Sequence, residues 1–260
     1  MNTADDQDKC RLLMEQAKQH CKVVYTGNPD CDHVSGKIKF ASGMVTFVST
    51  NIATFGLTAF HVYKWARTQG HLHSIEDDNK GLKLERFESI ACFTKPDLAS
   101  FKVIDPTGQM MPYCGIIPFK AASWPPVPVT VGDSVFIYGA PSKTFKIDTK
   151  EKEANFGDIH LNFKVTNIEF DNVAIEAPDE VGFLEWREGH KEEDYSVIGC
   201  SGTGVFAFRG ENEMTLELVG ILTTDLTLER KPGVKIKATF APIGLVNADG
   251  SIIGTDMVHI

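Results

Sequence analysis

Hydrophobic and polar positions divide the chain into a short helical opening and a long remainder with a period of two. Between residue 5 and about residue 24, Leu13, Ala17, Cys21 and Val24 recur at three- and four-residue intervals with charges between them. That spacing puts them on one face of an amphipathic helix laid against the main body. From Ser35 the pattern changes to alternation and short apolar runs, and it stays so to the end. Residues 37–40 and 44–48 read as two strands with Ala41-Ser42-Gly43 as the turn between them, and residues 55–60 read as a third that ends at His61. A helical turn at 62–67 and a polar loop at 68–81 follow, then strands at 82–93, 98–104 and 113–119.

Residues 120–131 break this pattern. Trp124-Pro125-Pro126-Val127-Pro128 lies within them, and three prolines remove backbone donors and restrict the residues before them, so the stretch is a linker. Beyond it, strands are expected at 132–141, 144–147, 159–170, 173–176, 203–208, 216–222 and 234–240. Many short strands with turn signals and little helix describe an all-β protein. The count fits two six-stranded antiparallel β-barrels preceded by an N-terminal helix. The expected divisions are 1–34 for the helical extension, 35–119 for the first barrel, 120–131 for the linker, and 132–260 for the second barrel with a C-terminal segment.

Composition narrows the function classes. The chain has 260 residues, of which 42% are hydrophobic and 23% charged, enough for a sizeable core. A formal net charge of −9 repels phosphate, so no nucleic-acid partner is expected. No apolar run is long enough for a membrane span. Residues 1–9 carry three aspartates and no apolar core, which is not a secretory signal. The six cysteines are therefore expected as reduced thiols in a cytoplasmic setting. Cys10, His20, Cys21, Cys31 and His33 include no short C-x-x-C pair, so no metal is assigned and no cofactor is implied.

Candidate chemistry centres on Gly199-Cys200-Ser201-Gly202-Thr203-Gly204, a turn whose glycines allow the close approach that a serine nucleophile and its oxyanion donors require. A serine hydroxyl is a weak nucleophile at neutral pH; it needs a histidine base and an acid to orient that base. Of eight histidines, His61 stands at the end of an apolar strand-like run. Asp77, Asp78, Asp97 and Asp105 lie between it and the serine. Asp97 opens the strand-like run Leu98-Ala99-Ser100-Phe101-Lys102-Val103 directly after Pro96, whereas Asp77 and Asp78 sit in a charged loop.

Three motifs carry a resemblance. Thr58-Ala59-Phe60-His61-Val62 resembles the T-A-A-H-[CV] motif of chymotrypsin-like serine proteases, Asp97-Leu98-Ala99 resembles their D-[IL]-A motif, and Gly199-Cys200-Ser201-Gly202 resembles their G-D-S-G motif. The order His, Asp, Ser is the chymotrypsin order. Similarity extends to Gly43-Met44-Val45, to residues 132–141 and to Gly220-Ile221-Leu222, and so touches most of residues 35–245. Val62 stands where secreted members have a disulfide cysteine, and Cys200 replaces the aspartate that pairs with a freed N-terminus in zymogen-activated members. The chain is most similar to disulfide-free viral polyprotein-processing proteases of the sobemovirus and polerovirus type, with their S-G-T-[GP]. A bacterial intracellular member of the same superfamily is the nearest alternative.

The resemblance implies a double barrel with its active site in the cleft between the halves. It implies Ser201 as nucleophile, His61 as base and Asp97 as the group that fixes the imidazole. The oxyanion hole would be backbone N–H groups of the Gly199-Cys200-Ser201 turn. Cys200 occupies the x of G-x-[SC]-G and is the neighbour of the nucleophile. Tyr195 lies six residues before the serine, where trypsin-like members have an aspartate, and Asp194 is one step off. Leu222 and Thr223 follow Gly220-Ile221, where glutamine-selecting viral members place a histidine. With Ser196 and Thr223 as hydroxyl donors, these residues imply a pocket for a neutral small or apolar side chain. The expected partner is a protein or polyprotein substrate. The alternative class is a protease-like binding module without turnover.

Overall fold

The computed structural model describes residues 4–27, 40–68, 73–74, 87–104, 109–113, 115–141, 146–148, 153–155, 159–177, 197–210, 214–226, 236–254 and 256–258. Helix α1 (Ala4–His20) ends four residues earlier than the periodicity predicts, and strand β1 (Cys21–Gly27) begins at once. Cys21 and Val24 keep helical spacing, but Val23 and Val24 are adjacent β-branched residues, which fit a pleated surface better than a helix turn. Seven residue pairs with β2 (Phe40–Ser49), from Cys21↔Thr46 to Gly27↔Phe40, decide the matter. Lys18 lies in the last turn of α1, where a cation is favoured by the helix dipole. His20 donates from Nδ1 to the Ile117 carbonyl at 2.7 Å, and burial holds its pKa below the ordinary value against that bond.

The expected turn at Ala41-Ser42-Gly43 is absent, because β2 runs straight through it. A Cβ on Gly43 would lie 2.5 Å from Val62 Cγ1, so this glycine marks a close packing contact between β2 and the helix after β3. The half continues as β3 (Thr54–Ala59), α2 (Phe60–Thr68), β4 (His73–Ser74), β5 (Phe87–Phe93) and β6 (Leu98–Val103), then α3 (Met110–Tyr113) and β7 (Phe119–Lys120). The strand expected over 113–119 is thus a short helix and a two-residue strand.

These strands make one sheet of order β4-β1-β2-β3-β6-β5, with β7 parallel to β2. Among the described residues this sheet does not close, so of the two expected six-stranded barrels one is present as a closed barrel and the other as an open sheet. Its edges are the two-residue β4, which offers little backbone to pair with, and β5. Residues 121–133, between β7 and β8, form neither helix nor strand.

The second half closes. Strands β8 (Ser134–Gly139), β11 (Ile159–Ile168), β12 (Val173–Glu176), β15 (Lys237–Pro242), β14 (Thr215–Asp225) and β13 (Gly204–Arg209) form a barrel in that order, with β13 returning to β8. Strands β9 (Lys146–Asp148) and β10 (Glu153–Asn155) form a separate hairpin. Ile159, Leu161, Phe163 and Val165 alternate into the barrel core, the period-two pattern read from the sequence.

A second apolar cluster fills the junction of the two halves. It joins Met14 and Ala17 of α1 to Val48, Phe55 and Leu57 of the sheet and to Phe136, Phe206 and Leu218 of the barrel. The helix therefore packs against both halves; burying one such methionine contributes roughly 2 kcal/mol. The chain beyond β15 also returns to the sheet. Thr50 Oγ1 donates to Ala248 O at 2.6 Å, Ser100 Oγ to Gly250 O at 2.6 Å, and Val258 N to Cys92 O at 2.8 Å.

Candidate active site

His61 is the second residue of α2, directly after β3, and Asp97 ends the turn before β6. Because β3 and β6 pair through Ala59↔Leu98, both residues emerge at the same end of adjacent strands. The Asp97 carboxylate is fully engaged: Oδ1 accepts the His61 backbone N–H at 3.0 Å and Oδ2 accepts Nδ1 at 2.7 Å. Its carbonyl accepts the Phe60 N–H at 3.0 Å. Asp97 thus satisfies orphan donors at the α2 N-terminus, where a negative charge is favoured by the helix dipole. An ionised carboxylate only accepts, so Nδ1 carries the proton and Nε2 keeps its lone pair in the neutral ring. The His61 side chain is 55% exposed, and Nε2 has no partner among the described residues. Val62 packs on Gly43, which seats α2 against β2.

Ser201 belongs to the barrel half, on the loop before β13. Val197 O accepts Cys200 N–H at 2.9 Å across a turn whose third residue, Gly199, has φ 92°. That is a type II geometry, which favours glycine at this position. The expectation that Cys200 N–H joins an oxyanion hole is therefore corrected: the turn uses it. The N–H groups of Gly199 and Ser201 have no acceptor among the described residues. The Cys200 side chain is fully buried against Gly139 in the barrel core, away from solvent. The Ser201 hydroxyl donates to Thr223 O at 3.1 Å.

The loop is docked on the other half. Met44 N donates to Ser201 O at 2.8 Å, and Thr46 Oγ1 donates to Gly202 O at 3.1 Å. Thr58 Oγ1, three residues before the histidine, donates to Met44 O at 2.7 Å. Gly202 has φ 95°, and a Cβ there would collide with Met44 O and Thr58 Oγ1. The histidine strand, β2 and the serine loop are in this way three layers of one contact.

The remaining expected site residues divide. Tyr195 and Ser196 lie outside the described residues, as do Asp77, Asp78, Asp105 and Asp194. Leu222 is 1% exposed in the barrel core; its carbonyl accepts Gly202 N–H at 2.7 Å and its N–H donates to Thr203 O at 2.9 Å, so it supports the loop from below. Thr223 points its hydroxyl at Thr239, 3.2 Å from the carbonyl and 3.3 Å from Oγ1, and offers the site its carbonyl instead. Thr46 is missing from the expectations. Its one signal is a hydroxyl at an inward position of the apolar run Met44-Val45-Thr46-Phe47-Val48.

No protein-family model matches this chain. No curated protein matches it either. Among solved structures, one from work on the aromatic interactions that drive the coupled folding and binding of the intrinsically disordered Sesbania mosaic virus VPg protein is similar. It covers 85% of this chain and 85% of that one, at 14% sequence identity and a TM-score of 0.48. Among the described residues, no group of three or more His, Cys, Asp or Glu is arranged to hold a metal ion, and no helix is long and apolar enough to cross a membrane.

Proposed function

We propose that the chain is a serine endopeptidase of chymotrypsin-like arrangement, with Ser201 as nucleophile, His61 as general base and Asp97 as the residue that orients it. The observation that carries this reading is the His61–Asp97 pair, Nδ1 to Oδ2 at 2.7 Å, which leaves Nε2 as an acceptor on the same half of the molecule to which the Ser201 loop is bonded. An imidazole with a free ring nitrogen is the base such a hydroxyl requires.

In the working cycle Ser201 Oγ rotates from the Thr223 carbonyl toward Nε2. Its oxygen bonds the scissile carbonyl carbon as the proton passes to Nε2, and the carbonyl π electrons move onto oxygen. The N–H groups of Gly199 and Ser201 stabilise that oxyanion; each such donor is worth roughly 3 to 4 kcal/mol in comparable sites. Collapse breaks the C–N bond, Nε2–H protonates the leaving amine, and water repeats the sequence on the acyl-enzyme. The substrate is a protein or polyprotein with a neutral residue at the cleavage point.

Labelling with a fluorophosphonate tests the reading. Ser201 is expected to be the modified residue, Ser201→Ala to remain unlabelled and inactive on peptides, and His61→Ala to label far more slowly. Folded wild-type protein that resists the reagent would instead leave a binding module.

A further inference from the structure

The mechanism above leaves a buried cluster beneath the serine loop without a role. Thr46 is fully buried and Cys21, its cross-strand partner from β1, is 3% exposed. Their side chains lie 3.5 Å apart, Sγ to Oγ1. Thr46 Oγ1 gives its proton to Gly202 O, and Thr203 Oγ1 gives its proton to Tyr138 O. Each hydroxyl has one proton, so Thr46 Oγ1 can only accept from the sulfur, and the thiol hydrogen is the one left for it. Burial pushes the Cys21 thiol up, which keeps that hydrogen in place.

Resting on the peptidase reading of Ser201, we propose that Thr46 and, behind it, Cys21 are positioning residues for the nucleophile loop, acting through the Gly202 carbonyl. The N-terminal strand is then part of the catalytic apparatus although it touches no substrate. Ser201 is held at two successive carbonyls, its own by Met44 N and the next by Thr46. The second anchor sets the plane of the peptide joining Gly202 to Thr203. Because Gly202 carries no side chain, hydrogen bonds rather than packing fix that plane. Loss of the Thr46 proton would leave the Gly202 carbonyl buried and unpaired, and the loop would turn to satisfy it. Small displacements of a nucleophile and its oxyanion donors lower kcat more than they change substrate binding.

The test compares Thr46→Val, Thr46→Ser, Cys21→Ala and Cys21→Ser in the full chain. Rates are expressed per fluorophosphonate-titrated site, so that misfolded molecules drop out. Thr46→Val, nearly isosteric but without the proton, is expected to lower kcat about tenfold to a hundredfold with KM within about twofold. Thr46→Ser should recover most of that loss. Cys21→Ala should lower kcat about threefold to tenfold, with Cys21→Ser closer to wild type. A Thr46→Val rate per titrated site equal to wild type overturns the proposal, as do equal losses in Thr46→Val and Thr46→Ser. Wild-type protein that neither labels nor cleaves sinks the peptidase reading instead. The relay is then decided by amide exchange at Gly202 and Thr203: about tenfold faster exchange in Thr46→Val supports it, and unchanged exchange overturns it.

Discussion

The two halves contribute to the candidate site in different ways. The sheet half orders its pair locally: His61 and Asp97 stand at the same end of β3 and β6, and the three hydrogen bonds that fix them run among residues 60, 61 and 97. The closed barrel does not. It carries Ser201, but the two carbonyls around the nucleophile are held by Met44 and Thr46 of the sheet. A base pair can thus be local while a nucleophile is made at a junction. Perturbations of the barrel loop are expected to be felt as changes in docking, whereas perturbations of Asp97 should stay within the sheet.

The most severe way to sharpen this contrast is Asp97→Asn. The amide offers a donor as well as an acceptor, so Nδ1 no longer has to carry the ring proton, and the tautomer with Nε2 protonated becomes available. Turnover on a peptide substrate is expected to fall by roughly 10⁴ while thermal unfolding shifts little. A variant with turnover within tenfold of wild type would mean that Asp97 is a helix cap and nothing more. Gly202→Ala probes the junction. The left-handed backbone and the collision with Met44 O and Thr58 Oγ1 should together destabilise the fold by about 3 kcal/mol, read by urea unfolding. A loss under about 1 kcal/mol would show that the loop can lift from β2 at little expense.

The smallest expected effect tests the barrel away from the junction. Asp133 accepts the Thr130 N–H at 2.9 Å and meets Arg209 Nη1 at 3.2 Å, while Arg209 also reaches Glu217 and the linker carbonyls of Val127 and Pro128. Burial raises the Asp133 pKa, but the Thr130 N–H and hydroxyl and the Arg209 guanidinium together lower it more, and the net direction is down. The folded carboxyl therefore titrates below its unfolded value. Its contribution is present above about pH 4 and lost as pH falls through the folded value, about 1 kcal/mol after allowance for solvent. Asp133→Asn should remove that acid limb from a urea-midpoint profile, and an unchanged profile would assign the limb to other carboxylates.

How much of this was legible in the sequence depends on distance along the chain. Alternation marks the inward face of β11, and the proline cluster marks an irregular stretch, because both are local consequences of backbone chemistry. The residues His61 and Asp97 were legible since each closes or opens a strand that pairs with the other. The end of α1 was not, because Cys21 and Val24 satisfy helical spacing while the pairing that draws them into a strand comes from β2. Gly43 reads as a turn residue until Val62 is placed above it. Thr46, the open edge between β4 and β5, and the engaged Cys200 N–H depend on how halves dock or on one turn's geometry, which periodicity does not encode.

Finally, consider the return of residues 256–258 to the sheet. Thr94 N donates to Asp256 O at 3.2 Å, and Phe93 pairs with Met257, so the turn that presents Asp97 leans on residues near the far end of the sequence. On a ribosome, which releases the chain from its N-terminus, the sheet is made early and this support arrives after the whole barrel. Assembly of the base pair is in that sense timed by synthesis. Phe93 and Thr94, at the turn that leads to Asp97, meet Met257 and Asp256 only after the barrel strands have been made.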